Sequence, residues 1–342
     1  MKRGLNGQRK KWLAAVVVLL NVAAMMLDAV LRAQNPSADP NRDWENAAGG
    51  KQEFEVASVR EDIGGGPPTS SFPLDSGNAY FAVDKSYKLN PEGSLFSARN
   101  WALIRYIVFA YRLSGTQELA LRFDYYQGLE MHVADWVKTD RYDIEARAPA
   151  SATKDQMRLM MQSLLAERFK LAVHWETRQA RLFALVEATP GKLGPQLEAN
   201  AAGDDCSTAA VPEKAGATAD GNLQLAALPI PCGMIAHLPV REPGAHRFGG
   251  RDVSLKMLAE SMPTQTGMAT LRRPVVDETG LKGGYNFWIE WTPEDTRNDP
   301  ENGETGGTFR AALKDQLGLK LEPRNGPVQV LVIDHVEQPS EN

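Results

Sequence analysis

Apolar positions along this chain fall into two rhythms, one recurring every three or four residues and one every second residue, and the rhythms alternate. Phe54–Arg60 alternates imperfectly and predicts a strand, followed by a loop from Gly64 to Ser76. Leu103, Ile104, Ile107, Val108 and Tyr111 recur at helical spacing, with Asn100 placed to cap the helix. Residues 114–138 have no clear period and predict an irregular excursion. Arg141–Ala146 then alternates, with Tyr142, Ile144 and Ala146 on one face and Asp143, Glu145 and Arg147 on the other. Thr153 and Gln156 have the capping-box spacing, and the helix they open carries the stripe Met157, Met160, Met161, Leu164, Leu165 and Phe169. Arg181–Val186 predicts a closing strand.

The same order returns further on. Ser254 caps a helix with the stripe Leu255, Leu258, Ala259 and Met262, and Val253 is set to pack on Leu258. Pro274–Val276 is a short strand, and Tyr285, Phe287, Ile289 and Trp291 share one face of the next, with Trp288 on the other. Phe309, Leu313 and Leu317 make a short helix that Gly318 stops, and Val328–Ile333 is the last strand. Phe96–Leu103 is matched by Phe248–Leu255, Tyr142–Ile144 by Tyr285–Phe287, and Arg168–Leu171 by Gly318–Leu321. The chain therefore reads as α+β, with two tandem β-α-β-β-α-β-like repeats, each a small sheet with two helices. The predicted boundaries are 52–188 and 241–338, with a loop-rich connector over 189–240 whose composition is too poor in large apolar residues to build a core.

The N-terminus adds an address. Lys2, Arg3, Arg9, Lys10 and Lys11 precede an apolar run from Trp12 to Leu27, and Ala33 ends a plausible cleavage site, which together predict a signal peptide over residues 1–33. An uncleaved inner-membrane anchor is the alternative, although the run is short of the roughly 20 residues that span a bilayer. Residues 34–51 read as a disordered tether. The whole chain of 342 residues has a net charge of −5; without residues 1–33 it has 32 basic and 42 acidic residues and a net charge of −10. No basic stripe remains to neutralise phosphates, which argues against nucleic acid as a partner. The two cysteines, Cys206 and Cys232, read as a disulfide within the connector of an exported protein, because neither stands in a metal-ligand spacing.

Several long motifs carry a resemblance: Phe54–Val59, Asp140–Ile144, Leu164–Leu171, Arg273–Leu281 and Val332–Glu337. On these the chain resembles the soil-associated family of exported proteins expanded in acidobacteria, a domain of unknown function. Some relatives carry that domain beside a membrane sensor peptidase, which implies a sensing or binding role. Ser254–Ile333 is also similar to the short N-terminal domain of secretins and TonB-dependent transducers, which implies a small sandwich and protein–protein contacts in the cell envelope.

Candidate chemistry is sparse. There is no nucleophile elbow, phosphate-binding loop or paired-histidine zinc motif, and no catalytic, cofactor or metal residue is assigned. His132, His174, His237, His246 and His335 are scattered singly, with His174 and His335 at corresponding strand ends. Asp140 with Asp143 and Asp277 with Glu278 read as turn and cap carboxylates. Three methionines in one stripe read as core in preference to a binding groove. Trp288 and Trp291 face opposite ways, so one of them is a candidate contact for a partner. The favoured reading is a non-enzymatic binding module of the envelope or extracellular space for a protein, peptide or envelope polymer. The alternative is a secreted hydrolase using Asp277, Glu278 or the loop Pro293–Gly307.

Overall fold

A computed structural model describes residues 42–71, 74, 95–122, 132–200, 223–225, 228–240, 242–266, 271–293 and 307–339. The chain divides into two compact units, residues 1–51 and 52–342. In the first unit, the stretch expected as a structureless tether holds a helical turn, α1 (Asp43–Ala47), whose acidic first turn suits a helix N-terminus. Arg42 Nη2 donates to Glu45 Oε2 at 2.6 Å beside it. The signal segment lies outside the described residues.

In the second unit the first half runs β1 (Val56–Glu61), β2 (Thr69–Ser70), β3 (Leu95–Ala102), α2 (Leu103–Ala110), α3 (Gly115–Arg122), α4 (Asp135–Thr139), β4 (Arg141–Arg147), α5 (Lys154–Arg168) and β5 (Ala172–Glu187). The second half runs β6 (Leu197–Ala199), β7 (Met234–His237), β8 (His246–Val253), α6 (Leu255–Gln265), β9 (Val275–Asp277), β10 (Tyr285–Trp291), α7 (Gly307–Ala312) with a π-helical last turn over Leu313–Leu317, and β11 (Leu319–His335). Local chemistry makes these elements. Thr153 and Gln156 form the full capping box of α5, Ser254 Oγ accepts from Met257 N at 3.1 Å to start α6, and Gly318 turns left-handed at φ 71 to end the π turn.

The strands form three sheets, ordered β1-β4-β3-β2, β6-β10-β8-β7 and β11-β5-β9. The first two have the same plan. In each, a strand that leads directly into a helix, β3 into α2 and β8 into α6, lies beside a later strand, β4 or β10, and the ladder slips at one bulge. At the bulge Asn100 and Asp252 take left-handed φ values of 57 and 52, where Asn and Asp are tolerated better than other side chains. Asn100 is therefore a bulge residue and not the cap of α2, whose N-cap is Ala102. Helix α5 ends on left-handed Lys170 (φ 50), the counterpart of Gly318. By that landmark Leu171 answers Leu319, two residues out of step with the match read between Arg168–Leu171 and Gly318–Leu321.

The largest departure from the expected plan lies in the last strands. Arg181–Val186 and Val328–Ile333 are only parts of β5 and β11, which pair antiparallel with each other from Leu319–Glu187 to Ile333–Val173. Neither strand closes its own half. Neighbouring residues point to opposite faces of a strand, and here they enter different cores: Ala180 and Leu182 join the first-half core with Val328 and Val330, whereas Phe183 and Leu185 join the second-half core with Leu319 and Leu321. Pro323 and Pro327 are tolerated within β11 because it is an edge strand, where a missing N–H need not break a ladder bond.

The connector also departs from expectation. Leu228, Ile230, Met234, Ala236, Leu238 and Trp288 form a third small core on the outer face of the second sheet. The excursion at 114–138 contains α3 and α4. Met157, Met160 and Met161 are closed within the first core and line no groove.

Candidate functional site

A cleft of about 220 Å³ opens in the first half, lined by Trp101, Ala102, Ile104, Arg105, Val108, Glu118, Arg122, Lys138 and Arg141. Five elements deliver these side chains. The last residues of β3 supply Trp101 and Ala102, and the face of α2 one helical turn long supplies Ile104, Arg105 and Val108. Helix α3 supplies Glu118 and Arg122, spaced i to i+4, while α4 and the first residue of β4 supply Lys138 and Arg141.

Glu118 is fully buried, which a bare carboxylate could not sustain; it is held by cations. Its Oε1 accepts from Arg105 Nη2 at 2.8 Å and from Arg122 Nη1 at 3.0 Å, and its Oε2 accepts from Arg105 Nη1 at 3.3 Å. The fork of Arg105 is thereby fixed in place, and its side chain is only 14% exposed. Lys138 Nζ lies 3.4 Å from Asp135 Oδ1 at the rim, where Asp135 is 94% exposed. Arg141 enters no ion pair among the described residues. Among the described lining residues one carboxylate faces four cations, next to a carbon wall of Trp101, Ala102 and Ile104. Such a site attracts an anion.

Of the residues singled out from sequence, the structure brings few to this cleft. Trp288 and Trp291 are 3% and 4% exposed, so the expectation that one of them stands open is corrected. Trp288 Nε1 donates to Leu223 O at 3.0 Å under the connector, and Arg247 stacks on its ring at 5.1 Å. Trp291 packs edge-on against Phe309, at 5.0 Å between centroids. Cys206 lies outside the described residues; Cys232, in the turn before β7, is not a free thiol. Asp277 Oδ1 accepts from Thr279 N and Oγ1 at 3.0 and 2.7 Å, which is turn chemistry, and Glu278 lies 3.8 Å from Arg324. Asp140 Oδ1 accepts from Thr139 Oγ1, and Asp143 Oδ1 accepts from Asn100 N. Most of the loop Pro293–Gly307 is outside the described residues.

His174 and His335 do share one end of the β5–β11 ribbon. His174 Nδ1 is 2.8 Å from Asp334 Oδ1 and its Nε2 is 3.1 Å from Glu176 Oε1, while His335 Nε2 is 2.8 Å from Glu337. Hydrogen bonds to Asp334 and then Glu176 raise the pKa of His174. Among the described residues no group of three or more His, Cys, Asp or Glu side chains is arranged to hold a metal ion, and no helix is long and apolar enough to cross a membrane.

Sequence reading missed the cleft because its carboxylate and one arginine lie in the stretch with no clear period. The trace was the pair Glu118 and Arg122, one turn apart among Leu119, Ala120 and Leu121. Residues 105–336 match the protein family described as "Protein of unknown function (DUF3738)". The chain belongs to this family. The DUF3738 match begins at Arg105 and takes in every charged residue of the cleft. No curated protein and no solved structure matches the chain.

Proposed function

We propose that this chain is an exported, non-enzymatic binding module that captures an anionic ligand in the cleft around Glu118. The observation that carries the reading is the buried carboxylate clamped by Arg105 and Arg122, with Lys138 and Arg141 facing the same space. A fixed guanidinium fork is already ordered before a ligand arrives, which lowers the entropy cost of binding. Glu118 is the one carboxylate among the described lining residues, and its oxygens are taken up by three charge-assisted bonds, so it is poorly placed to shuttle a proton.

The scaffold of this module is a small sandwich that has been copied, with a connector clasped by a Cys206–Cys232 disulfide. The shared strand order of the first two sheets and their matched bulges support the copying. Among the described residues only the first copy carries the cleft, because Gly284 stands where Arg141 does, Val253 stands where Trp101 does, and α3 and α4 are additions between α2 and β4. The basic and apolar N-terminal run supports export, and the resemblance to envelope-associated domains supports a place among protein, peptide or polymer partners.

The test is isothermal titration of the chain without residues 1–33 against sodium benzoate, glucuronate, sulfate and inorganic phosphate at constant ionic strength. At least one anion binds one-to-one, and Arg141→Ala weakens it about tenfold, the loss of one charge-assisted contact. If none of the four binds, the reading is lost.

A further inference from the structure

Deepening that reading, on which it rests, we infer that the ligand is a small organic monocarboxylate with a compact apolar body, one ring or one branched chain in size. The lining is divided by chemistry. Arg105, Arg122, Lys138 and Arg141 supply donors, and Trp101, Ala102, Ile104 and Val108 supply carbon. Ala102, Ile104 and Val108 are themselves 5%, 6% and 0% exposed, so this wall belongs to the first-half core and does not yield to water.

A bare inorganic oxyanion is hydrated on every side and gains nothing from carbon; placing it there would strip water from its oxygens without replacing the hydrogen bonds. A polyhydroxylated acid fares little better. Its hydroxyls need acceptors, and the one carboxylate among the described lining residues already accepts from Arg105 and Arg122. An apolar carboxylate suits both parts, with its charge toward the guanidinium groups and its body along Trp101 and Ile104.

Trp101 favours the same class. Its indole Nε1 donates to Thr69 O at 3.0 Å, which commits the polar edge of the ring to β2 and leaves the lining with its carbon surface. The neighbouring bulge holds it in register, where Asn100 Nδ2 bonds to Gly66 O. The volume of the cleft is below the usual range of about 300 to 1,000 Å³ for larger ligands, which limits the body to a single ring or its equivalent.

The experiment titrates the same chain with benzoate, with glucuronate and with inorganic phosphate, and repeats the benzoate titration on Arg141→Gln and Trp101→Ala. Benzoate binds at least tenfold more tightly than the other two, and each substitution weakens it by about tenfold or more. Arg141 is exposed, so its replacement leaves the fold intact, and a circular dichroism melt checks both variants. If phosphate or glucuronate equals or exceeds benzoate, this inference fails while the anion site stands. If benzoate binds and Arg141→Gln has no effect, the inference fails, because the ligand lies elsewhere. If none of the three binds and sulfate does not either, the functional reading falls with it.

Discussion

Across the bulge of the first sheet, the backbone N–H of Asn100 donates to Oδ1 of Asp143 at 2.9 Å. At the same place in the second sheet, Asp252 N donates to Oδ1 of Asn286 at 2.9 Å, with the amide and the acid exchanged between the strands. Each bulge combines a left-handed residue with a side-chain acceptor facing it, so the geometry needs one Asx residue on each strand and works with the charge on either. A double exchange in the first sheet, Asn100→Asp with Asp143→Asn, should therefore restore part of what Asn100→Asp alone removes, the bond from Asn100 Nδ2 to Gly66 O staying lost. The single variant sets two carboxylates against each other and costs about 1 kcal/mol. A double-mutant cycle by urea denaturation checks this, and a double variant no more stable than the single one would contradict it.

Replacing Glu118 by Gln leaves Arg105 in a site built for a salt bridge. Breaking a buried pair by removing one partner costs about 3 to 5 kcal/mol, and the partial exposure of Arg122 places this case at the lower end. The urea midpoint should fall accordingly. Glu118→Gln protein that still folds would gain one unit of positive charge in the cleft, and its affinity for anions should rise.

Gly115 begins α3 where that helix crosses α6. A Cβ there would lie 2.7 Å from Glu260 O and 2.7 Å from Thr264 Oγ1, one of them backbone, so the helices would have to separate. Although alanine is the better helix former, Gly115→Ala should destabilise by about 1 to 3 kcal/mol, measured by thermal or urea unfolding.

His174 links β5 to β11 through Asp334, and its pKa is raised by that bond and by the one to Glu176. A group whose folded-state pKa is raised stabilises the protein while it is protonated. Its contribution is full below about pH 6.5, its ordinary value, and is lost as pH rises through the higher folded-state value. The difference in urea midpoint between the wild type and His174→Gln should shrink from pH 6 to pH 8, and NMR titration of the ring should place its midpoint above the ordinary histidine value.

The parts of the fold legible in the sequence are those set by local chemistry. The capping box at Thr153, the cap at Ser254, the stop at Gly318 and the alternation of Tyr285–Trp291 depend on residues within a turn or two of one another, and the mixed α+β class follows from them. What the sequence concealed depends on distant partners. The first part of β5, Ala172–Ala180, mixes polar and apolar residues and becomes a strand only because β11 lies beside it. The connector residues Leu228, Ile230 and Met234 looked too few for a core, and they suffice because Trp288 supplies the centre. Glu118 lies in the stretch read as an irregular excursion and carries no signal until Arg105, thirteen residues earlier, folds over it.

The exchange of partners between β5 and β11 also sets the order of events as the chain folds. Phe183 and Leu185 complete a core most of whose residues lie after position 230, and Val328 and Val330 complete one most of whose residues lie before position 170. A chain leaving the ribosome therefore carries an unfinished first lobe until its final strand is made, and the search that closes this ribbon bridges well over a hundred residues. Such long-range closure is slow, so late assembly, and not the strength of either lobe, should govern how fast this protein matures and how long it needs protection on the way.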